Sequence, residues 1–168
     1  MNPDAVDFQT VPAALRDGVL ASWGELTAGP ALAGVLPDDA QFRQQLIRVL
    51  TTSPYAADIL VRYPDMLAKL LVSERLQRTT TADDYTILLR ASLPPEPDEE
   101  ELQRQLRLFR HRELVRIIWR DLSGAAEVTE TLRDLSNLAD ACINVALAWA
   151  QATLQARYGT PQTEEGAP

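Results

Sequence analysis

Residues 98–124 read DEEELQRQLRLFRHRELVRIIWRDLSG, and this stretch indicates the fold class more clearly than any other part of the chain. It begins with four consecutive acidic residues, and negative charge is favoured at the positive end of a helix. Apolar residues then recur at the spacing of one helix face, at Leu108, Val115, Ile118 and Leu122, with the single histidine, His111, among them. Gly124 is a typical helix end. We therefore predict a long helix from residue 98 to residue 122.

The other segments also have helical spacing, and prolines or small polar residues separate them. The prolines within LPPEP, at residues 93–97, divide the chain because they prevent a helix from continuing. The remaining predicted helices cover residues 12–28, 38–53, 54–63, 64–73, 81–92 and 126–158. The last of them is expected to pack through one narrow stripe, which consists of Val128, Leu132, Leu135, Ala139, Cys142, Ala146, Trp149, Thr153 and Ala156.

These patterns predict an all-α fold in which short N-terminal helices pack on a long antiparallel helical hairpin. The reason is that helices this long need packing along most of their length. The predicted regions are the short helices in residues 1–95, the hairpin in residues 96–159, and a polar linker in residues 160–168.

Composition excludes several classes of function. The chain has 24 acidic and 16 basic residues and a formal net charge of −8, so sequence-independent binding to nucleic acid or to an anionic membrane is not expected. One cysteine and one histidine cannot form a disulfide or a Cys/His zinc site within the chain. We find no targeting or membrane-spanning segment, and we expect a cytoplasmic protein.

No motif for nucleotide binding, metal binding or nucleophilic catalysis is present. The sequence lacks GxxxxGK[ST], GxGxxG, HExxH and CxxC. Its acidic groups at residues 38–39, 83–84 and 98–101 stand where helices are predicted to start, so we interpret them as helix-start residues. We predict no catalytic, cofactor-binding or metal-binding residue, and no cofactor, in this chain.

The basic part of the long helix is the remaining candidate site, and two interpretations of it are open. It is either a solvated face whose charges pair along the helix, as Glu113 can with Arg110 and Arg116, or a surface that contacts another domain of a longer protein. Arginine and tryptophan are good interface residues. The candidate interface residues are Arg110, Arg112, Arg116, Trp119 and Arg120.

Three separated stretches carry a family resemblance. They resemble the bacterial glutamine synthetase adenylyltransferase / adenylyl-removing enzyme. The stretches are FRHRELVRIIWRDLSG (109–124), the segment from AEVTETLRDLSNLADACINV to QARYGTP (126–161), and SPYAADILVRYPDML (53–67). That family has an FRRRE-x-x-RIxWRDL helix before a long LSxLADxxI helix ending in RYG. The resemblance covers residues 40–161. His111 stands where family members often have arginine.

The resemblance implies a bifunctional enzyme with two nucleotidyltransferase domains that use magnesium and ATP. One removes AMP from a tyrosine of glutamine synthetase by phosphorolysis and the other attaches it, and PII signal proteins and glutamine set the balance. In the family, the RYG helix leads into a domain with a GKxGGxExxxxSDxD motif, which this sequence does not contain. No catalytic residue of the family can therefore be assigned here.

We accordingly expect an N-terminal helical fragment of this enzyme that is inactive alone, with the missing nucleotidyltransferase domain, glutamine synthetase and a PII protein as implied partners. The alternative is a stand-alone all-α protein-interaction module. A missing domain predicts exposed apolar surface in the region of Trp119 and Trp149, and full burial of both tryptophans would count against it.

Overall fold

The computed structural model describes residues 8–160, and these residues form α-helices without any β-strand. The helices are α1 (Ala13–Ala28), α2 (Ala40–Thr52), α3 (Pro54–Arg62), α4 (Pro64–Val72), α5 (Ala82–Ser92), α6 (Glu99–Leu122) and α7 (Val128–Tyr158). Short 3-10 turns lie at Phe8–Thr10 and Pro30–Leu32. The all-α prediction is confirmed, whereas the antiparallel hairpin stays a prediction for the full length of α6 and α7. The predicted linker lies mostly outside the described residues.

Helix starts follow the side chains that the sequence places there. Asp39 accepts hydrogen bonds from the backbone N–H groups of Gln41 (3.2 Å) and Phe42 (3.0 Å) at the start of α2. At the start of α5, the Thr81 hydroxyl accepts from the Asp84 N–H while the Asp84 carboxylate accepts from the Thr81 N–H. These caps satisfy N–H groups that have no partner within the helix, and they explain the observed boundaries.

Glycine ends the two long helices. Gly124 and Gly159 have φ angles of 73° and 83°, in the left-handed region where glycine carries no steric cost. The predicted helix ends near these glycines therefore agree with the structure.

The described residues form two compact units. Unit 1 contains residues 8–80 and 111–135, and unit 2 contains residues 81–110 and 136–160. The core of unit 1 is formed by apolar side chains of α1 to α4 together with Val115 and Trp119 of α6. In unit 2 the buried apolar residues are Tyr85, Leu89, Leu102, Phe109, Leu138, Ala141 and Val145. The predicted division into residues 1–95 and 96–159 stays a prediction.

Helix α7 does not bury the whole stripe that its apolar pattern suggested. Val128, Leu132 and Leu135 are 70%, 59% and 39% exposed, whereas Asp134 is only 2% exposed. Because Asp134 is paired with a buried arginine, the side of the helix that carries this carboxylate faces inward, and the apolar side chains at the start of α7 face solvent. No helix within residues 8–160 is long and apolar enough to span a membrane.

Candidate functional site

The five predicted interface residues differ widely in exposure. Arg110 is exposed and Arg112 retains 24% of its side-chain surface. Arg116, Trp119 and Arg120 are buried in unit 1, at 0%, 1% and 3% exposure. The interpretation of this helix face as solvated is therefore wrong for Arg116 and Arg120. That the five residues contact another domain stays a prediction. Of the five, Arg110 and Arg112 have side-chain surface that such a domain could reach.

The carboxylate of Glu113 lies at the centre of a buried ion-pair network. It is fully buried and accepts hydrogen bonds from Arg75 (2.9 Å), Arg112 (3.1 Å) and Arg116 (3.0 Å). Burying a single carboxylate is costly, and charge-assisted hydrogen bonds from guanidinium groups offset that cost. The pairing of Glu113 with Arg116 that the sequence suggested is present, but it is buried and joined by an arginine from the segment that follows α4.

Arg116 connects three parts of unit 1. Its Nε donates to Glu113, its Nη2 donates to Asp134 of α7 at 2.7 Å, and its Nη1 donates to the backbone carbonyl of Arg78 at 3.3 Å. These bonds leave the guanidinium in different directions, which its planar set of donors allows. Arg116 thus links α6, the first turns of α7 and the connection between α4 and α5.

Arg120 repeats this arrangement one helical turn later. Its guanidinium donates to Glu130 at 2.7 Å, to the carbonyl of Leu76 at 3.2 Å and to the carbonyl of Ala125 at 3.1 Å. Moving four residues forward along α6, from Arg116 to Arg120, moves the acidic partner four residues back along α7, from Asp134 to Glu130. The two ion pairs therefore fix the register of these helix ends on either side of the turn at residues 123–127.

Aromatic contacts surround the same part of α6. The Trp119 ring stacks on Phe42 with centroids 5.3 Å apart. His111 Nδ1 lies 2.7 Å from the Tyr55 hydroxyl, and the His111 ring stacks on Tyr63 at 6.1 Å. These contacts place His111 against the helices of unit 1.

The contacts of Glu113, Arg116 and Arg120 hold helices together. Within residues 8–160, no three His, Cys, Asp or Glu side chains lie close enough to hold a metal ion. An open cleft of about 640 Å³ in unit 1 is lined mainly by glutamine and threonine side chains of α2, and Arg48 is the one charged residue of its lining.

Near the start of α6, hydrogen bonds from Arg104 and Gln105 lower the pKa of Glu101 to about 2.

Sequence reasoning did not identify Glu113, Glu130 and Asp134 as buried ion-pair residues. A usable signal was present, because charged residues recur at spacings of three and four on both sides of the turn, at Glu113, Arg116 and Arg120 before it and at Glu130 and Asp134 after it. The contribution of Arg75 had no local signal, since it lies 38 residues before Glu113.

The apolar exposure expected near the two tryptophans is found for one of them. Trp119 is buried in unit 1, whereas Trp149 in unit 2 is partly exposed and its indole N–H donates to the Pro97 carbonyl at 2.8 Å. The two tryptophans are therefore not both fully buried.

Fold and site together define an all-α region whose helix ends are held by buried ion pairs. The chain belongs to the glutamate-ammonia ligase adenylyltransferase family, whose family model matches residues 43–168. The resemblance inferred from the three stretches is thus confirmed.

Curated relatives agree with this assignment. A bifunctional glutamine synthetase adenylyltransferase/adenylyl-removing enzyme of Thioalkalivibrio sulfidiphilus is 37% identical over 99% of this chain, which covers 17% of that protein. A relative of the same name from Pseudomonas aeruginosa is 38% identical over 90% of the chain and 16% of its own length. The chain thus spans about one sixth of the length of these relatives. No solved structure matches it significantly.

Proposed function

We propose that this chain is the N-terminal helical region of an enzyme that adenylylates and deadenylylates glutamine synthetase, and that it is inactive alone. The observation that carries the proposal is the family match over residues 43–168, which includes the whole ion-pair network. The residues that gave the family signature are occupied in holding helices: Glu113, Arg116 and Arg120 are buried and paired with one another or with nearby groups.

In this proposal the helical region supports chemistry that takes place elsewhere in the longer enzyme. Magnesium and ATP would be bound by a nucleotidyltransferase domain of the same protein, since the buried carboxylates Glu113 and Asp134 are already paired with arginine, and Asp39 and Asp84 cap helices. Glutamine synthetase would be the substrate and a PII protein the regulator, in the cytoplasm, as part of nitrogen regulation.

The test is an assay of both reactions with the purified 168-residue chain. Glutamine synthetase is incubated with the chain, magnesium and radiolabelled ATP, and adenylylated glutamine synthetase is separately incubated with the chain, magnesium and phosphate. We expect no label transfer and no release of ADP, the product of phosphorolysis, above a mock purification, while the full-length Pseudomonas aeruginosa relative, 38% identical to this chain, provides the positive control. Turnover by the chain would contradict the proposal.

A stand-alone interaction module is the second candidate. Large apolar side chains are exposed along α7, including Ile143 and Leu147 at 62% and 52%, and such surface fits a separate protein partner as well as a missing domain. Sequencing the coding DNA beyond codon 168 separates the candidates. An in-frame nucleotidyltransferase motif after codon 168 supports the fragment of a longer enzyme. A stop codon at that point, together with a functional translation start before codon 1, supports the stand-alone module.

A further inference from the structure

The open cleft of unit 1 lies on the side of α2 that faces away from the core. The α2 side chains in its lining include those of residues 41, 44, 45, 48, 51 and 52, and spacings of three and four place these positions on one helix face. Val11, before α1, and Ser123, after α6, also line the cleft. Its volume of about 640 Å³ lies within the range of roughly 300–1,000 Å³ that is usual for small-molecule sites.

Arg48 gives the cleft its charge. Among the described residues that line it, Arg48 is the only charged one, although acidic residues outnumber basic residues by 24 to 16 in the chain. The α2 residues three and four positions away from Arg48 are all glutamine or threonine, so the helix offers it no acidic partner. Within residues 8–160 Arg48 forms no ion pair, whereas Arg43 of the same helix pairs with Asp38 at 2.7 Å. The Arg48 guanidinium therefore keeps its donors for a ligand.

The lining selects an anion. A guanidinium forms paired hydrogen bonds to the oxygens of a carboxylate or a phosphate. A cationic or zwitterionic ligand would find no acidic side chain for its ammonium group among the described residues of the lining. The side-chain amides of Gln41, Gln44 and Gln45 make no hydrogen bond within the described part of the chain, and amides can donate to further oxygen atoms of the ligand.

The length of the polar row favours an extended ligand with several oxygen-bearing groups. From Gln41 to Arg48 the helix advances seven residues, which is about 10 Å at 1.5 Å per residue. A single phosphate at Arg48 is too small to reach the amides at the start of this row. An anion with two or three carboxylates can place one at the guanidinium and another at the glutamines.

We propose that this cleft binds a small organic anion that carries two or three carboxylate groups. One carboxylate pairs with Arg48, and a second accepts hydrogen bonds from the amides of Gln41 and Gln44. The cleft is open, and the net charge of −8 opposes the approach of an anion, so the expected affinity is modest. This site goes beyond the proposed function and does not depend on it, since its residues all belong to unit 1.

An NMR titration of the ¹⁵N-labelled 168-residue chain with citrate, at constant ionic strength, tests the proposal. We expect the side-chain amide signals of the α2 glutamines and the Nε–H signal of Arg48 to shift in a saturable way, with a Kd of about 1 mM or lower. Inorganic phosphate should bind at least about tenfold more weakly because it cannot reach the glutamines. Glycerol, which has hydroxyl groups but no charge, should cause no saturable shift.

Two variants assign the binding to the cleft. Arg48→Gln should raise the Kd for citrate at least about tenfold, and Gln41→Ala/Gln44→Ala should raise it several-fold. Arg62→Gln is the matched control, because it removes the same charge from a side chain of α3 in unit 1 that is 62% exposed, and it should leave the Kd within about twofold. All three variants should keep the helical circular dichroism, since the positions are exposed and alanine and glutamine are good helix formers.

Three results would overturn the proposal. One is a set of citrate-induced shifts that stays linear up to about 20 mM. Another is a citrate Kd that Arg48→Gln leaves unchanged or that Arg62→Gln raises equally, since either would separate the binding from the charge in the cleft. The third is phosphate binding as tight as that of citrate, which would reduce the site to a single contact with Arg48.

Discussion

Replacement of Arg116 by methionine gives the sharpest test of the ion-pair network. Methionine fills a similar volume but removes the guanidinium that joins Glu113 to Asp134. Glu113 keeps hydrogen bonds from Arg75 and Arg112. Asp134 loses its 2.7 Å contact, and its other carboxylate oxygen already has no hydrogen-bond partner within residues 8–160. The variant therefore leaves a carboxylate that is 2% exposed without the charge that balanced it.

The expected destabilisation is large because the cost is that of an uncompensated buried charge. Removing one partner of a buried ion pair typically lowers the free energy of unfolding by about 3–5 kcal/mol. For a chain of this size, this corresponds to a decrease of roughly 6–20 °C in Tm. Replacing both partners by apolar residues costs much less, so Arg116→Met/Asp134→Leu should recover most of the loss.

Urea unfolding followed by circular dichroism and by tryptophan fluorescence measures these differences. Arg62→Met is the control, because the Arg62–Asp58 pair is 3.3 Å apart with both side chains about 60% exposed, and exposed pairs of this kind contribute less than about 1 kcal/mol. A loss below about 1 kcal/mol for Arg116→Met, or a double variant no more stable than the single one, would show that the buried charge of Asp134 does not depend on Arg116.

Two further predictions concern the helix caps and the acidic start of α6. Asp39→Ala should lower the free energy of unfolding by about 1 kcal/mol, since Asp39 caps α2 through two backbone N–H groups. The control Asp38→Ala should change the free energy of unfolding by only about a few tenths of a kcal/mol, because Asp38 is 91% exposed and pairs with Arg43 at the surface. Equal losses for the two variants in urea unfolding would contradict this prediction. Arg104→Ala should raise the pKa of Glu101 from about 2 toward its ordinary value near 4.5, measured by carboxyl NMR titration. Because the folded-state pKa is lowered, the stabilisation by Glu101 is present above pH 4.5 and is lost as the pH falls toward 2, and an unchanged titration in the variant would show that Arg104 is not the cause.

The helices were predictable because their boundaries depend on nearby residues. Asp39, Thr81 and Gly124 act on N–H groups or backbone angles within one turn of their own position. A single sequence displays such local signals directly, and the predicted bounds consequently agree with the observed ones to within about two residues.

The orientation of α7 could not be derived in the same way. An apolar stripe indicates the buried face of a helix only when the opposite face is polar and unpaired. In α7 the inward side carries Asp134, whose burial depends on Arg116 from another helix. Reading α7 by hydrophobicity alone therefore assigned Val128, Leu132 and Leu135 to the core, although all are exposed.

The network also explains why arginine suits positions 116 and 120 of α6 better than lysine would. Arg116 donates to two carboxylates and a backbone carbonyl through three different nitrogens, and Arg120 donates to a carboxylate and two carbonyls. A lysine ammonium is a single compact centre that cannot reach acceptors in these separated directions while remaining buried. Two of the three carbonyl acceptors belong to Leu76 and Arg78, in a segment without regular helix, where free backbone carbonyls need donors. Arg116 and Arg120 thus donate hydrogen bonds both to backbone carbonyls between α4 and α5 and to carboxylates of α7. These contacts explain the presence of arginine at both positions without a phosphate ligand.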